Sequence, residues 1–302
     1  MEPIVLTRAL RSQGFSYDEL NRLERLGELT RVRRGAYAPP ASEDMVREER
    51  HRRLIHGTAP QLLDGAVISH GSAAVLHRLP VWPAAIERVH ATRSRSGNGR
   101  RRSLVHVHGA PLDATDICLV DGVAVTSIAR TVLDLARTLP MEQAVALGDR
   151  ALREGLPASA LAAGLLRMER WPGVRQARRV VQFLDPRSES VGESVSRVRF
   201  QSDGLPAPEP QYTIRAADGT FIARVDFLWK AQRTVGEFDG KFKYGRTLDR
   251  DQPPEEVLYQ EKLREDLIRD HNFQVVRWTW SDLYRPGVIR GRVLRAFGRQ
   301  SS

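Results

Sequence analysis

The stretch FIARVDFLWKAQRTVGEFDG, residues 221–240, decides the fold of the C-terminal third of the chain. Apolar residues alternate with polar ones on both sides of the short KAQR segment, which is typical of two strands joined by a tight loop. In that register Trp229 lies opposite Thr234, and Asp226 lies opposite Glu237. Opposed side chains of neighbouring strands lie within about 5.5 Å at Cβ, so the two carboxylates are close enough to share one divalent cation.

The segments on either side extend this pair of strands into an α/β pattern. A predicted helix over about 188–201 and the strand QYTIR precede it, and the helix EEVLYQEKLREDLIRD, the strand FQVVRWTW and a final helix follow. The order is αβββαβα. Because a strand reached through a crossover helix returns right-handed, the last strand is expected to run parallel to a neighbour. Arg277, between Val276 and Trp278, is expected to point toward the acidic residues.

Charged residues around these strands suggest metal chemistry. Asp239 lies two residues after Glu237, so both side chains point to one face of the strand. Crowded carboxylates repel unless a cation neutralises them, and Mg²⁺ (or Mn²⁺) binds through one or two carboxylates, water and substrate phosphate. Lysine supplies only four of the 47 basic residues, and an ammonium beside acids can orient water or a phosphate. The candidates for that role are Lys241, Lys243 and Lys262.

The composition points to a globular protein with a polyanionic partner. Apolar residues make up 41% of the chain, enough for substantial cores, and the net charge is +10 with a pI of about 10.4. Such a charge favours nucleic acid as a partner. No run of 18 apolar residues and no charged-then-apolar leader occurs, so we expect neither a membrane span nor a signal peptide. We therefore expect the protein to be located in the cytoplasm of a bacterium.

The first 42 residues have the outline of a winged helix. Apolar spacing from Val5 to Leu10 predicts a first helix, and Ser16 with Glu19 forms a capping box that begins a second. A strand, a turn at Gly35 and another strand follow. The second helix would enter the major groove and the wing would lie near phosphates. The predicted DNA-binding residues are Tyr17, Asn21, Arg22 and Arg25 on the helix, and Arg31, Arg33 and Arg34 on the wing.

Residues 43–185 read as a mixed α/β domain. The segment AVISHGSAAVLHRL is typical of a strand leading into a helix, and ERVHAT and SLVHVHGA are typical of strands. His106 and His108 share a strand face, and His70 and His77 frame a helix. Without a cysteine or carboxylate partner these histidines form a poor zinc motif, so no metal site is predicted in this domain.

The C-terminal region, over roughly residues 186–298, resembles the PD-(D/E)XK nuclease superfamily, and most closely its very-short-patch-repair-like (Vsr-like) branch. The resemblance rests on Asp226, the E-F-D-G stretch 237–240, Glu193 on the leading helix, and the helix followed by VVRWTW. It implies metal binding by Asp226 and Glu237, with Glu193 and Asp239 as further ligands. Asp239 stands where the superfamily has lysine, so the ammonium could come from Lys241 in a shifted register, or from Lys243 or Lys262.

The N-terminal half resembles the type IV antitoxin (AbiEi-like) family. This likeness rests on the winged-helix outline, RRGAYAPP, ISHGSAAVLHRLPVW and GVAVTSIARTVLDLA, over roughly residues 1–155. It implies DNA binding, often in autoregulation of a toxin–antitoxin operon, and a cognate toxin as a possible protein partner.

Together these patterns predict a multidomain α/β protein with a winged helix (1–42), a middle α/β domain (43–185) and a restriction-endonuclease-like αβββαβ domain (186–302). The leading hypothesis is a DNA-binding, Mg²⁺-dependent endonuclease. The alternative is a non-catalytic, antitoxin-like regulator of a toxin–antitoxin or phage-defence operon. Two simpler interpretations also remain open. The acidic residues could form a solvated face of a strand, and the role of Glu193 could be limited to a salt bridge with Arg197 across one helical turn.

Overall fold

The computed structural model describes residues 4–94, 100–101, 104–240 and 254–300. The chain is a mixed α/β protein that divides into two compact units. The first unit comprises Met1–Leu139 and Gly155–Gln182, and the second comprises Pro140–Glu154 and Phe183–Ser302. In the described residues, no helix is long and apolar enough to cross a membrane.

The first unit contains two sheets within its described residues. Its strands are β1 (Val5–Leu6), β2 (Thr30–Arg33), β3 (Ala36–Ala38), β4 (Ala66–Ile68), β5 (Val89–Arg93), β6 (Arg100–Arg101), β7 (Val105–Gly109), β8 (Ile117–Val120) and β9 (Val123–Thr126). Its helices are α1 (Thr7–Ser12), α2 (Tyr17–Arg25), α3 (Arg47–Thr58), α4 (His70–Leu76), α5 (Ile128–Ala136), α7 (Ala158–Arg167) and α8 (Val174–Phe183).

The N-terminal part is a small sheet, in the order β1-β3-β2, that packs with α1 and α2. The predicted capping box of α2 is confirmed, since the hydroxyl of Ser16 accepts the N–H of Glu19 and the Glu19 carboxylate accepts the N–H of Ser16. The first helix, however, begins later than predicted. Val5 pairs with Tyr37 in β3 and belongs to a strand, because its backbone forms sheet pairing that helical spacing alone does not reveal.

The larger sheet has the order β6-β7-β5-β4-β9-β8 within the described residues. Strands β5 and β7 run parallel, with His90 opposite His106 and Thr92 opposite His108. Helix α4 follows β4 as predicted and packs tightly on the segment before β5. A Cβ on Gly71 would overlap the carbonyl oxygen of Ala85, so only glycine allows this approach.

A buried ion network stabilises α5. Arg130, only 2% exposed, donates to Asp116 and to Asp134, each at 2.8 Å, and Asp134 also binds Arg137 at 2.8 Å. Both guanidinium groups lie over the ring of Trp171, 4.7 Å and 5.0 Å from its centroid. Buried charges need opposite charges beside them, because an unpaired buried charge would be costly.

The second unit has one four-stranded sheet in its described residues, in the order β10-β11-β12-β13. Its strands are β10 (Glu209–Arg215), β11 (Phe221–Trp229), β12 (Thr234–Asp239) and β13 (Gln274–Thr279). Its helices are α6 (Met141–Arg153), α9 (Val191–Ser202), α10 (Pro254–Asp270), α11 (Trp280–Leu283) and α12 (Val288–Gln300). The predicted element order is confirmed, and so is the parallel pairing of β13 with β12.

The compact units divide the chain differently from the predicted domains, because α6 packs with α9 in the second unit. Asp149 on α6 is buried and accepts hydrogen bonds from Ser194 at 2.8 Å and from Arg197 at 2.9 Å. Arg197 therefore pairs with Asp149 on α6 and does not form the alternative salt bridge with Glu193, one helical turn away. Residues 140–154, predicted to lie in the middle domain, belong to the second unit.

Aromatic side chains fill the space between α9 and the sheet of the second unit. The ring of Phe200 lies edge-on to those of Phe227, Trp229 and Trp278, with centroids 5.1–5.3 Å apart. Edge-to-face pairs at such separations add to the stabilisation from burial. This core holds the strands that carry the acidic residues in a fixed position against α9.

Candidate functional site

Glu193 is fixed at the start of α9. Ser190 caps this helix, and its hydroxyl accepts the backbone N–H of Glu193 at 3.1 Å. The Glu193 carboxylate accepts the backbone N–H of Glu189 and the side-chain amide of Gln211, each at 2.8 Å. Only 6% of Glu193 is exposed, so these bonds hold the carboxylate in one orientation.

Asp226 lies in β11, in the register that the sequence predicts. Trp229 is paired with Thr234 and Phe227 with Gly236, and the next residues along the two strands are Asp226 and Glu237. The Asp226 Oδ2 atom accepts the backbone N–H of Phe238 at 2.8 Å. The two predicted ligand residues therefore lie side by side on neighbouring strands.

The pKa of Asp226 is raised to about 6, and burial of the carboxyl group is the main cause. The charges of Glu193 and Glu237 act in the same direction, whereas the hydrogen bond from Phe238 and the charge of Arg264 act in the opposite direction. Like charges in a poorly solvated site favour protonation, and a bound cation would reverse this effect. We call Glu193, Asp226, Glu237 and the nearby Asp239 the acidic cluster.

Glu237 is held by two arginines. Arg264 on α10 donates to its Oε1 atom at 2.7 Å, and Arg277 on β13 contacts its Oε2 atom at 3.1 Å. Arg277 also contacts Glu265 at 3.2 Å. The prediction that Arg277 points toward the acids is confirmed. The cations that neutralise Glu237 are thus guanidinium groups, where the sequence suggested an ammonium.

Of the three predicted lysines, only Lys262 lies within the described residues. Lys241 and Lys243 lie outside the described residues. Lys262 is on α10 with its side chain exposed. Asp239 ends β12 opposite Thr279 in β13 and is partly buried. The sequence patterns did not indicate Arg264, because its approach to Glu237 depends on how α10 packs against the sheet.

Two glycines beside the acidic cluster allow close packing. A Cβ on Gly192 would overlap the ring of Phe238, the residue between Glu237 and Asp239. A Cβ on Gly236 would lie 2.6 Å from the Trp278 ring. Both positions require glycine, so the start of α9 and the end of β12 are packed in direct contact.

The acidic cluster has the ligand chemistry that Mg²⁺ prefers, because all its donors are carboxylate oxygens. Burial is the main cause of the raised pKa of Asp226, and the charges of Glu193 and Glu237 add to it. A bound divalent cation would offset these charges. Among the described residues, however, only three histidines place their ligand atoms all within 4.8 Å of one another. Since Glu237 is turned toward Arg264 and Arg277, it would have to leave at least one of them to join a metal shell.

The predicted DNA-binding residues on α2 lie on an exposed face. Tyr17 is 61% exposed, and Arg11 lies over its ring, 4.5 Å from the centroid. Asn21, Arg22 and Arg25 are also exposed, at spacings that place them on one side of the helix. This face presents hydrogen-bond donors and positive charge together.

On the hairpin, the three predicted arginines differ. Arg31 and Arg34 are exposed, whereas Arg33 is partly buried against α3, where its side chain packs close to Gly57. Burial lowers the pKa of the Arg33 guanidinium. Arg31 and Arg34 are therefore the better-placed hairpin residues for contact with a partner.

A second cluster, in the first unit, brings together four histidines from three elements. We call His70, His90, His106 and His108 the histidine cluster. The rings of His70 and His108 stack 3.7 Å apart, those of His106 and His108 lie 3.9 Å apart, and His90 Nδ1 lies 2.9 Å from His108 Nε2. Burial and the neighbouring histidines lower the pKa of His70 and of His108 far below the usual range.

The sequence pattern placed His106 and His108 on one strand face and His70 beside a helix, and it did not single out His90. One sequence signal was available. Side chains alternate between the two faces of a strand, so His90 in one predicted strand would share a face with His106 and His108 in the next if the two strands paired with His90 opposite His106. That pairing is observed. It could not be derived from either strand alone.

No family model matches the chain. Two proteins of Mycobacterium tuberculosis, named Uncharacterized protein MT2308 and Uncharacterized protein Rv2248, are each 31% identical to it over 182 residues. The match covers 60% of this chain and 64% of each relative. The chain therefore spans about 64% of the length of these relatives.

Among solved structures, the chain is similar to one titled "Crystal structure of RV2827C protein from Mycobacterium tuberculosis". The two share 17% sequence identity with a TM-score of 0.41, and the match covers 70% of this chain and 83% of the other.

Proposed function

We propose that this protein binds duplex DNA and hydrolyses its phosphodiester bonds with the help of Mg²⁺ or Mn²⁺. The observation that carries this proposal is the convergence of Glu193, Asp226 and Glu237 from α9, β11 and β12 in the second unit. The αβββαβ element order, with the last strand parallel to its neighbour, supports the resemblance to Vsr-like nucleases.

In this proposal Glu193, Asp226 and Glu237 hold the metal, with Asp239 as a further ligand. The ion, when bound, lowers the pKa of an attacking water and offsets negative charge on the phosphate. Two groups of the chain have positions suited to the substrate. Arg264 and Arg277 are 40% and 38% exposed at their side chains, and a guanidinium released by Glu237 can bind a phosphate through two hydrogen bonds.

DNA docking is assigned to the N-terminal part of the first unit. The exposed face of α2 with Tyr17, Asn21, Arg22 and Arg25, followed by a hairpin with Arg31 and Arg34, supports the resemblance to a winged helix. Such a helix reads base edges while the hairpin contacts phosphates. The net charge of +10 favours the same partner.

Nicking of supercoiled plasmid in Mg²⁺ or Mn²⁺ tests the hydrolase. Asp226→Asn keeps the size of the side chain and removes its charge, so we expect at least about a hundredfold slower cleavage, since metal ligands contribute several kcal/mol to the transition state. The matched control is Asp218→Asn, whose carboxylate lies in the turn between β10 and β11 and binds the N–H of Thr220. It should cleave like the wild type. Equal nicking by wild type and Asp226→Asn would exclude the proposal.

Fluorescence anisotropy with duplex DNA, measured over a range of salt concentrations, tests docking. Arg22→Ala or Arg25→Ala should each weaken binding and lower the slope of log K against log salt by about 1 if the residue contacts a phosphate. Arg150→Ala, which removes an exposed arginine paired with Glu154 on α6, serves as the control. Unchanged slopes for both α2 variants would contradict the assigned DNA surface.

A second candidate, a DNA-binding regulator without catalysis, is favoured by one specific observation. Glu237 is already neutralised by Arg264 and Arg277, and aspartate stands where the nuclease superfamily has lysine. A cluster stabilised by its own arginines does not need a metal. Specific binding to its own promoter, without nicking in either metal, would support this candidate over the first.

A further inference from the structure

We infer that His70, His90 and His108, with His106 beside them, form a binding site for an imidazole-selective divalent transition metal such as Zn²⁺. The ligand atoms of the first three lie within 4.8 Å of one another. They come from the start of α4 and from two adjacent parallel strands, β5 and β7. This site lies in the first unit and does not depend on the acidic cluster.

The spacing of the ring nitrogens is close to what a metal ion needs. Two nitrogens bound to tetrahedral Zn²⁺ at 2.0–2.1 Å lie about 3.3 Å apart. His90 Nδ1 and His108 Nε2 lie 2.9 Å apart, so a separation of a few tenths of an ångström accommodates the ion. Imidazole nitrogens suit Zn²⁺, Cu²⁺ and Ni²⁺, whereas Mg²⁺ prefers oxygen.

A chain of hydroxyl groups orients His70. Ser69 Oγ lies 3.0 Å from His70 Nδ1 and accepts a hydrogen bond from Thr92 Oγ1 at 2.8 Å. Ser69 occupies the N-cap position of α4 but makes no capping hydrogen bond with its side chain. With Nδ1 bonded to the serine, Nε2 is the nitrogen left for a metal, and partners of this kind fix ligand orientation in metal sites.

The backbone at this point is also unusual. His70 has φ of 51°, a left-handed conformation that costs a non-glycine residue free energy and is concentrated at functional sites. This conformation directs His70 toward β5 and β7 immediately after β4 ends. Ser72, two residues on, accepts the backbone N–H of His90 at 2.8 Å, which ties the start of α4 to the strand that carries a second ligand.

Nearby charges do not oppose a cation strongly. The guanidinium groups of Arg130 and Arg137, whose charges act on His70, are both bound by Asp134, and Arg130 is also bound by Asp116. Their charges are thus compensated within 2.8 Å. The histidines can therefore gain a metal ion without placing two uncompensated cations in contact.

Isothermal titration of the metal-free full-length chain with ZnCl₂, together with metal analysis after gel filtration, tests the site. The wild type should bind about one equivalent of zinc in a site of this ligand count. His108→Gln and His70→Gln should each weaken binding by at least about tenfold. Ser69→Ala, which removes only the orienting hydroxyl, should weaken it about 10- to 100-fold.

His77→Gln is the matched control, because His77 is a partly buried histidine just after α4 that contacts the carbonyl of Thr126 and not the cluster. It should bind zinc like the wild type. Circular dichroism of each variant verifies folding. Co²⁺ added to the wild type should give the visible absorption of a tetrahedral nitrogen site, and this absorption should be absent from His70→Gln.

Two results would overturn the inference. One is that the folded wild type binds no zinc. The other is that the folded double variant His70→Gln/His108→Gln binds zinc as tightly as the wild type, which would place the metal elsewhere.

Discussion

The second unit gathers carboxylates that are paired with partly exposed arginines, whereas the first unit gathers imidazoles and also contains a buried network of ion pairs. Glu237 can exchange its partners, since Arg264 and Arg277 are each about two-fifths exposed at the side chain. Arg130 cannot, since 2% of its side chain is exposed and two aspartates hold it. Pairs of arginine and carboxylate can therefore be structural where they are buried, as in the first unit, and can be available for ligands where the arginines are partly exposed, as in the second unit.

The largest effect should come from the buried network of the first unit. Arg130→Met removes the guanidinium that the buried Asp116 and Asp134 share and leaves each carboxylate with one other arginine, Arg167 and Arg137 respectively. The loss should therefore reach at most about 3–5 kcal/mol. We expect chemical denaturation to show a loss of this size for the transition of the first unit. A change below about 1 kcal/mol would mean that the network is not structural, and would weaken the comparison.

The next effect concerns packing at the acidic cluster. Gly192→Ala places a methyl group against the Phe238 ring, so the ring must move, at a cost of about 1–3 kcal/mol. Because Phe238 lies between Glu237 and Asp239, plasmid nicking should fall as well. Gly298→Ala on α12 has open space at its Cβ and should be neutral or slightly stabilising. Equal stability and cleavage for the two variants would show that the close packing is not needed.

The two units should respond to acid in opposite directions. Burial lowers the pKa of His51 to about 4, so between pH 6.5 and 4 the unfolded state binds more protons and the first unit loses stability as pH falls. Burial raises the pKa of Asp149 to about 6, so between pH 6 and 3.8 the folded state binds more protons and the second unit gains stability as pH falls. Each group contributes at most about 1.4 kcal/mol per pH unit.

Hydrogen exchange followed by mass spectrometry, on peptides from each unit between pH 7 and 5, separates these contributions. His51→Gln should flatten the pH dependence of the first unit, and Asp149→Asn should flatten that of the second. A variant whose pH dependence matches the wild type would show that its residue does not titrate as its surroundings imply.

The smallest effect should come from Arg264→Met. This arginine has the same charge as Arg130 and also binds a carboxylate at under 3 Å, but its exposure allows water to replace it. Exposed pairs contribute about 0–1 kcal/mol. Thermal denaturation should therefore show little change, and a loss comparable to that of Arg130→Met would remove the distinction between the two units.

The acidic cluster was largely predictable because its signals are local. Alternation in β11 and β12 sets which face Asp226 and Glu237 share, and the short connection sets their register, as Trp229 opposite Thr234 confirms. The role of the arginines was less predictable. The direction of the Arg277 side chain could be predicted from the alternation of side chains along β13. Arg264 reaches Glu237 only because α10, the helix that connects β12 to β13, packs beside β11.

The histidine cluster was not predictable in the same way. His90 and His108 are 18 residues apart, in strands whose neighbourhood is set by the order of the whole sheet. His70 lies beside them because it has a left-handed backbone conformation at the start of α4. A histidine in the sequence does not indicate that conformation. As long as the pairing of the strands is unknown, histidines in different strands cannot be distinguished from ordinary core residues.

By itself the sequence determined the elements, their order and the charges they carry, because caps, glycine turns and apolar periodicity act over a few residues. Ser16 begins α2, Gly35 turns the hairpin, and Trp229 meets Thr234 for such local reasons. Only the tertiary structure decided which side chains share a site. Long-range packing brought α6 to α9, Arg264 to Glu237 and four histidines to one face, because these contacts depend on sheet order and helix placement.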